Sequence, residues 1–221
     1  MRFIIREQDS ERLLAAGLFS YLHNGQYTGV TEEWRLTDVL NRYRILRIDI
    51  DARESKSEES TLFHMVLNRE NQPERLKIRF FSPASQGWAD LLMGDNIITL
   101  TQEIGHQRWE DEVRYDVNSG FLFSSAAWLG YWIGHQGSKR ASRIIHLSQK
   151  DKFELVERPL ALQKQEGKPV LIGGRSIPTE LFTVTLSDKI QNIWIDKFGL
   201  TLKAAIGNGF TAVETRYIRR M

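Results

Sequence analysis

Short alternations of apolar and polar residues, each ended by turn-forming residues, run through this sequence from residue 26 to residue 221. Alternation with a period of two is typical of a β-strand with one buried face and one solvated face. The clearest example is the final pair of segments, residues 200–206 and 211–218, which are separated by Asn208-Gly209. Asn-Gly is a strong hairpin signal because both central residues of a type I′ turn need positive φ angles. The pattern predicts a protein built mainly from antiparallel strands.

The number of strands then constrains the architecture. We expect about ten strands, and the sequence lacks the strand-helix-strand rhythm that is typical of a parallel sheet. A long antiparallel sheet deals best with its exposed edges by curving strongly, so that it closes or nearly closes. The sequence therefore predicts a single all-β domain over residues 1–221. We expect a large antiparallel, strongly curved half-barrel or barrel of roughly ten to twelve strands, with one or two helices covering the concave face.

An amphipathic helix is predicted near the N-terminus, at about residues 10–22. Asp9-Ser10 would supply a good N-cap. Apolar residues then recur at every fourth position, which is a helical spacing. They are Leu14, Leu18 and Leu22.

The aromatic insert, residues 120–137, departs from the strand pattern, and its part from 121 to 133 carries no charge. A helix starting at Ser124 would align the aromatic residues that are three and four positions apart. They are Trp128, Tyr131 and Trp132. Two interpretations stay open. The helix could plug the concave side of the sheet, or it could form the lid of an apolar cavity, since small-molecule sites are usually concave and mostly hydrophobic.

Composition excludes several classes of function. A formal charge of +2, from 30 basic and 28 acidic residues, is too nearly balanced to indicate a nucleic-acid partner. The absence of cysteine excludes disulfides, thiolate metal sites and a cysteine nucleophile. The five histidines lack zinc-ligand spacing, so we expect neither a metal nor another cofactor. The first apolar run is too short for a secretory signal, and no run reaches the roughly 18 residues of a membrane span. We therefore expect a cytoplasmic protein without a transmembrane segment.

Two residues are candidates for acid-base chemistry. Glu32 shares a strand face with Trp34, where a buried carboxylate would need a partner; it could act as an acid or base, or pair with an arginine. His64, inside the strand predicted at residues 61–67, could line a cavity or be a hydrogen-bonded structural histidine. Since no motif identifies a reaction, no catalytic residue is assigned.

Aromatic residues supply most of the predicted ligand contacts. Trp194 shares its strand face with Asn192 and Asp196, and an indole beside polar groups suits the rim of a ligand site. The complete set of predicted ligand-binding residues is Glu32, Trp34, His64, Trp109, Phe123, Trp128, Tyr131, Trp132 and Trp194.

Three segments carry a resemblance to a known architecture: TGVTEEW at residues 28–34, NIWIDKFGL at 192–200 and TAVETRY at 211–217. They resemble segments of uncharacterised bacterial proteins whose large curved sheet is similar to that of the LolA/LolB lipoprotein carriers. The resemblance implies a half-open barrel of roughly eleven strands, with helices covering an apolar groove that holds acyl chains.

These observations favour a non-enzymatic function. We expect the protein to bind an apolar or amphipathic small molecule, such as a lipid, acyl or isoprenoid compound, in the concave groove. One alternative is a hydrolase or isomerase that uses Glu32 and His64 as acid and base in the same cavity. Another is a protein-interaction module that exposes the aromatic segment at 121–133 as a docking patch. The sequence leaves the oligomeric state open.

Overall fold

Strands dominate the computed structural model, which describes residues 8–116, 118–135, 143–149 and 152–219. These residues contain seventeen strands and one helix, α1 (Ala126–His135). The strands are β1 (Glu11–His23), β2 (Gln26–Val39), β3 (Tyr43–Ala52), β4 (Glu59–Leu67), β5 (Pro73–Phe81), β6 (Gln86–Met93), β7 (Ile97–Ile104), β8 (Gln107–Arg114), β9 (Gly120–Phe123), β10 (Arg143–Gln149), β11 (Phe153–Glu166), β12 (Val170–Ile172), β13 (Arg175–Ile177), β14 (Glu180–Leu186), β15 (Lys189–Ile195), β16 (Thr201–Gly207) and β17 (Phe210–Arg219).

Fifteen of the described strands form one curved sheet in the order β8-β7-β6-β5-β4-β3-β2-β1-β17-β16-β15-β14-β11-β10-β9. Neighbouring strands are antiparallel except β9 and β10, which are parallel. The all-β, mainly antiparallel class is confirmed. The predicted count of ten to twelve strands is too low, and the sheet does not close, since β8 and β9 remain at its edges. The hairpin of β12 and β13 stands apart and packs its Val170 and Ile172 around Leu202.

Side-chain contacts link the two ends of the open sheet. The Gln102 side chain on β7 donates to the Phe153 carbonyl at 2.9 Å and accepts from the Phe153 N–H at 2.8 Å. The rings of Phe80 and Phe153 also meet edge to face, with centroids 5.6 Å apart. Gln102 is fully buried, so these bonds lie in a setting that water does not reach. The sheet therefore encloses a hollow without a closed ring of strands.

Strand alternation explains why the core lies inside this hollow. One cross-strand row of buried residues runs across six strands on the concave face. It contains Trp34, Ile48, Phe63, Ile78, Ala89 and Gln102. The adjacent row points to the outer face and is mainly polar. It contains Arg35, Arg47, His64, Lys77, Asp90 and Thr101.

The predicted N-terminal helix at residues 10–22 is wrong, because this segment forms β1. A spacing of four residues, as between Leu14 and Leu18, also keeps side chains on one face of a strand, since four is a multiple of two. The core-facing residues are instead Ala15 and Phe19, which are 2% and 0% exposed. Pairing with β2 on one side and β17 on the other satisfies the β1 backbone and decides the outcome.

Helix α1 occupies one end of the hollow. The predicted helix in the aromatic insert is confirmed, although it begins at Ala126, and residues 136–137 of the insert lie outside the described residues. Gly130 and Gly134 let the helix approach β16 and the turn before it closely. A Cβ on Gly130 would overlap the Thr201 side chain of β16, and one on Gly134 would overlap Gly199 in the turn. In the described part of the chain, no helix has the length and apolar character needed to cross a membrane.

Candidate functional site

Glu32 fixes the position of α1. Its carboxylate accepts hydrogen bonds from the Ser125 hydroxyl at 2.7 Å, the Ala126 N–H at 3.1 Å and the Ala127 N–H at 2.8 Å. A fourth bond comes from the Tyr21 hydroxyl. The side chain is 0% exposed. A negative charge at a helix N-terminus is stabilised by the helix dipole and by the otherwise unpaired N–H groups. Glu32 therefore acts as a structural anchor between the sheet and the helix.

The aromatic residues of α1 fill the hollow beyond this anchor. Trp128, Tyr131 and Trp132 are 0%, 1% and 1% exposed. The Trp128 indole donates to the Phe121 carbonyl at 3.0 Å, and the Tyr131 hydroxyl donates to Asn71 at 2.6 Å. Of the two interpretations left open by the sequence, the geometry favours the plug. These three side chains are part of the packed core and do not line the cavity described next.

The other end of the hollow keeps a cavity of about 360 Å³. Its size falls within the range of small-molecule sites, roughly 300–1,000 Å³. One wall comes from the sheet around β2 to β4, from β9 and from the first turn of α1. Its apolar residues are Val30, Ile50, Phe63, Leu122, Phe123 and Leu129. The opposite wall comes from β14 to β16, and its apolar residues are Val184, Leu186, Ala204 and Ile206.

A few polar groups face the same cavity. The hydroxyls of Tyr21 and Ser125 border it, and both donate to Glu32. His146 and Gln191 lie on the β10 and β15 side. Burial, followed by the positive charges of Arg158 and Lys189, lowers the pKa of His146. A mostly apolar cavity with a few polar groups suits binding of an amphipathic molecule.

Among the predicted ligand-binding residues, only Phe123 lines the cavity. Its ring stacks on Phe63, with centroids 4.5 Å apart, and on Trp128. Glu32 lies directly behind the cavity wall, because it binds both Tyr21 and Ser125. The remaining predicted residues lie elsewhere in the molecule.

His64 and Glu32 lie on opposite faces of the sheet. The register places Glu32 opposite Ile50 and Ile50 opposite Thr61, whereas His64 is three residues further along and faces the other way. The predicted acid-base pair does not form. His64 instead lies opposite Arg47 on the outer face. Burial, and next the charge of Arg47, lowers the pKa of His64 to about 4.

The three remaining predicted tryptophans have different surroundings. Trp34 is 2% exposed on the concave face, and its indole N–H donates to Glu214 at 2.9 Å. Trp194 packs near the separate β12–β13 hairpin, on the face opposite the core residue Ile193. Trp109 is half-buried on the edge strand β8, opposite Gln102. None of the three contributes to the cavity wall.

Glu214 is a buried acid that the sequence analysis missed. It is 1% exposed and accepts hydrogen bonds from the Trp34 indole, the Leu18 N–H and the Arg216 N–H. Burial raises its pKa to about 7, although these three donors favour the charged form. Ala212 and Glu214 alternate with outward residues of β17, and this alternation is visible in the sequence. The sequence does not show which face of the strand is buried, so Glu214 could equally have faced solvent.

The cavity residues from β14 to β16 were also missed, because ordinary core residues carry no signal of a void. Among the described residues, no three His, Asp or Glu side chains come together in a way that could hold a metal ion. No match is found to any family model, curated protein or solved structure. The resemblance to the LolA/LolB lipoprotein carriers therefore stays a prediction, and the geometry of the cavity carries the functional argument.

Proposed function

We propose that this protein binds an apolar or amphipathic small molecule, without catalysis, in the cavity beside α1. The observation that carries the proposal is the cavity itself: α1 fills only one end of the hollow and leaves about 360 Å³ within mainly apolar walls. Removing apolar ligand surface from water would drive binding, at about 25 cal/mol per Å². Acyl chains and isoprenoids have the matching chemistry.

Two features of the molecule support this function over the alternatives. A hydrolase or isomerase built on Glu32 and His64 would need both groups in one cavity, and they lie on opposite faces. A docking patch built on the aromatic segment would need exposed rings, yet Trp128 and Trp132 are almost completely buried. The proposal agrees with the expected acyl-binding architecture of the lipoprotein carriers and includes the expectation of a cytoplasmic location.

Ligand titration with a cavity-filling variant tests the proposal. Ile206 is half-buried in the cavity wall, so Ile206→Trp should fill the space with limited strain on the core. The matched control is Ile190→Trp, because Ile190 lies on the neighbouring strand, faces outward and is 60% exposed. Binding is followed by displacement of an environment-sensitive apolar dye by decanol and by decanoate, since the six native tryptophans would complicate intrinsic fluorescence.

The proposal predicts binding by the wild type and by Ile190→Trp, and a loss of about tenfold or more in Ile206→Trp. Native mass spectrometry of protein purified from its own host without detergent should also show a small-molecule adduct. Absence of both the adduct and any titration response in the wild type would contradict the proposed function. Equal binding by Ile206→Trp and the wild type would place the ligand outside this cavity.

A further inference from the structure

His146 and Gln191 form one polar side of the cavity. No hydrogen bond from the Gln191 side chain to the described part of the chain is found, so its amide is available to a ligand. By contrast, the Tyr21 and Ser125 hydroxyls are already bonded to Glu32. The unpaired Nδ1 atom of His146 has almost no accessible surface, so it does not face the open space.

Two basic residues stand beside this polar side. They are Arg158 and Lys189, whose positive charges lower the pKa of the His146 imidazole. Lys189 on β15 lies opposite the cavity residue Leu186 on β14. On its other side, Leu186 lies opposite Leu160 on β11. Arg158 is two residues from Leu160 and therefore on the same face of β11. Both cations therefore flank the cavity where the strands end.

Neither cation is neutralised by the described residues. The Arg158 guanidinium makes one long bond, 3.5 Å, to the Ser187 hydroxyl. In residues 8–116, 118–135, 143–149 and 152–219, no ion pair involves Arg158 or Lys189. The acidic residue of the adjoining turn, Asp188, is exposed. An anion at this rim would meet two positive charges.

The volume limits the length of the apolar part. A cavity of 360 Å³ lies near the lower end of the range of small-molecule sites, roughly 300–1,000 Å³. It therefore suits one short alkyl chain with a small head group.

We propose that the ligand is a single-chain amphipathic anion, whose chain occupies the cavity while its carboxylate or phosphate head lies beside Gln191, at Arg158 and Lys189. This inference rests on the proposed function, because it needs the cavity to be the binding site. It adds the sign of the head group and its position on the β10, β11 and β15 side. Charge-assisted hydrogen bonds from arginine and lysine are the strong ones, so the head group should dominate selectivity.

The test compares ligands that share a ten-carbon chain and differ in the head: decanoate, decyl phosphate, decanol and methyl decanoate. All are used below the concentration at which they form micelles. The double variant Arg158→Gln/Lys189→Gln removes both charges. The control is Lys77→Gln, because Lys77 is exposed on the outer face opposite His64.

The inference predicts that at least one anion binds the wild type about tenfold or more tightly than decanol does. The double variant should lose this preference, whereas Lys77→Gln should keep it, and the tighter anion identifies the head group. Equal binding of anions and neutral ligands, or an unchanged preference in the double variant, would overturn this inference and leave the proposed function standing. Failure of all four ligands to bind the wild type would contradict both.

Discussion

The Glu32 anchor makes a specific prediction about stability. Replacing Glu32 with glutamine keeps the shape of the side chain but removes its charge and turns one acceptor oxygen into an NH₂ group. With the amide oxygen facing Ser125 and Ala127, the Tyr21 hydroxyl can rotate to accept from the NH₂ group. The Ala126 N–H cannot rotate, so it loses its partner in a buried setting.

The expected magnitude follows from these two losses. One buried donor left unsatisfied is worth about 1–3 kcal/mol. Loss of a buried charge at a helix N-terminus adds up to about 2 kcal/mol. We expect Glu32→Gln to lower the free energy of unfolding by about 2–4 kcal/mol. This is a large share of the 5–15 kcal/mol that is typical of a folded protein.

Urea unfolding followed by circular dichroism measures this change, and an unchanged m-value would show that the comparison is valid. The control is Glu110→Gln, since Glu110 is exposed on the edge strand β8 and should change the free energy of unfolding by no more than about 0.5 kcal/mol. If Glu32→Gln is as stable as Glu110→Gln, then Glu32 does not anchor the helix and the reasoning fails.

Three further predictions concern buried polar groups. Gln102→Leu should lower the free energy of unfolding by about 2–4 kcal/mol, because it leaves the N–H and C=O groups of Phe153 unpaired between the sheet ends. A change below about 0.5 kcal/mol, measured by urea unfolding, would contradict this prediction. Glu214 has its pKa raised from 4.5 to about 7, so the folded state holds a proton that the unfolded state has lost, and this group makes stability fall as pH rises from 4.5 to 7. Glu214→Gln should remove that fall in urea unfolding series across this pH range, and an unaltered pH profile would argue against it. His64 has its pKa lowered from 6.5 to about 4, so its contribution is present above pH 6.5 and is lost as pH falls toward 4. His64→Leu should flatten that acid-side loss in the same assay; an equally steep loss in the variant would show that another group causes it.

The division of the hollow between a plug and a cavity has a simple physical origin. The helix is short, ten residues from Ala126 to His135, so it spans about 15 Å along its axis. Glu32 holds its N-terminus near the middle of the concave face, and Gly134 against Gly199 places its other end at the turn between β15 and β16. The space beyond the N-terminus is left to smaller side chains, such as Ala204 and Val184.

Sequence reasoning succeeded where a local residue pattern fits only one type of secondary structure. Alternation predicted the strand that carries Glu32 and Trp34 on its buried face, which is β2, and the strand at residues 61–67, which lies within β4. Asn208-Gly209 predicted the final hairpin, in which both residues have positive φ angles. The uncharged run at 121–133 predicted a helix within the sheet. Sequence reasoning failed for β1, because the spacing of Leu14 and Leu18 fits both a helix and a strand. Only the pairing of this segment with β2 and β17 decides between the two.

The sequence by itself determined an all-β class and a helix in the aromatic insert, because periods of two and of three to four are written in the order of residues. The tertiary structure placed that helix in the core. Only the tertiary structure decided where side chains meet. It separated His64 from Glu32, joined Gln102 to Phe153 across 51 positions, and brought His146 and Gln191 to one cavity. Such contacts depend on the curvature and register of a fifteen-strand sheet, which accumulate over many strand pairs and are not written in any single segment.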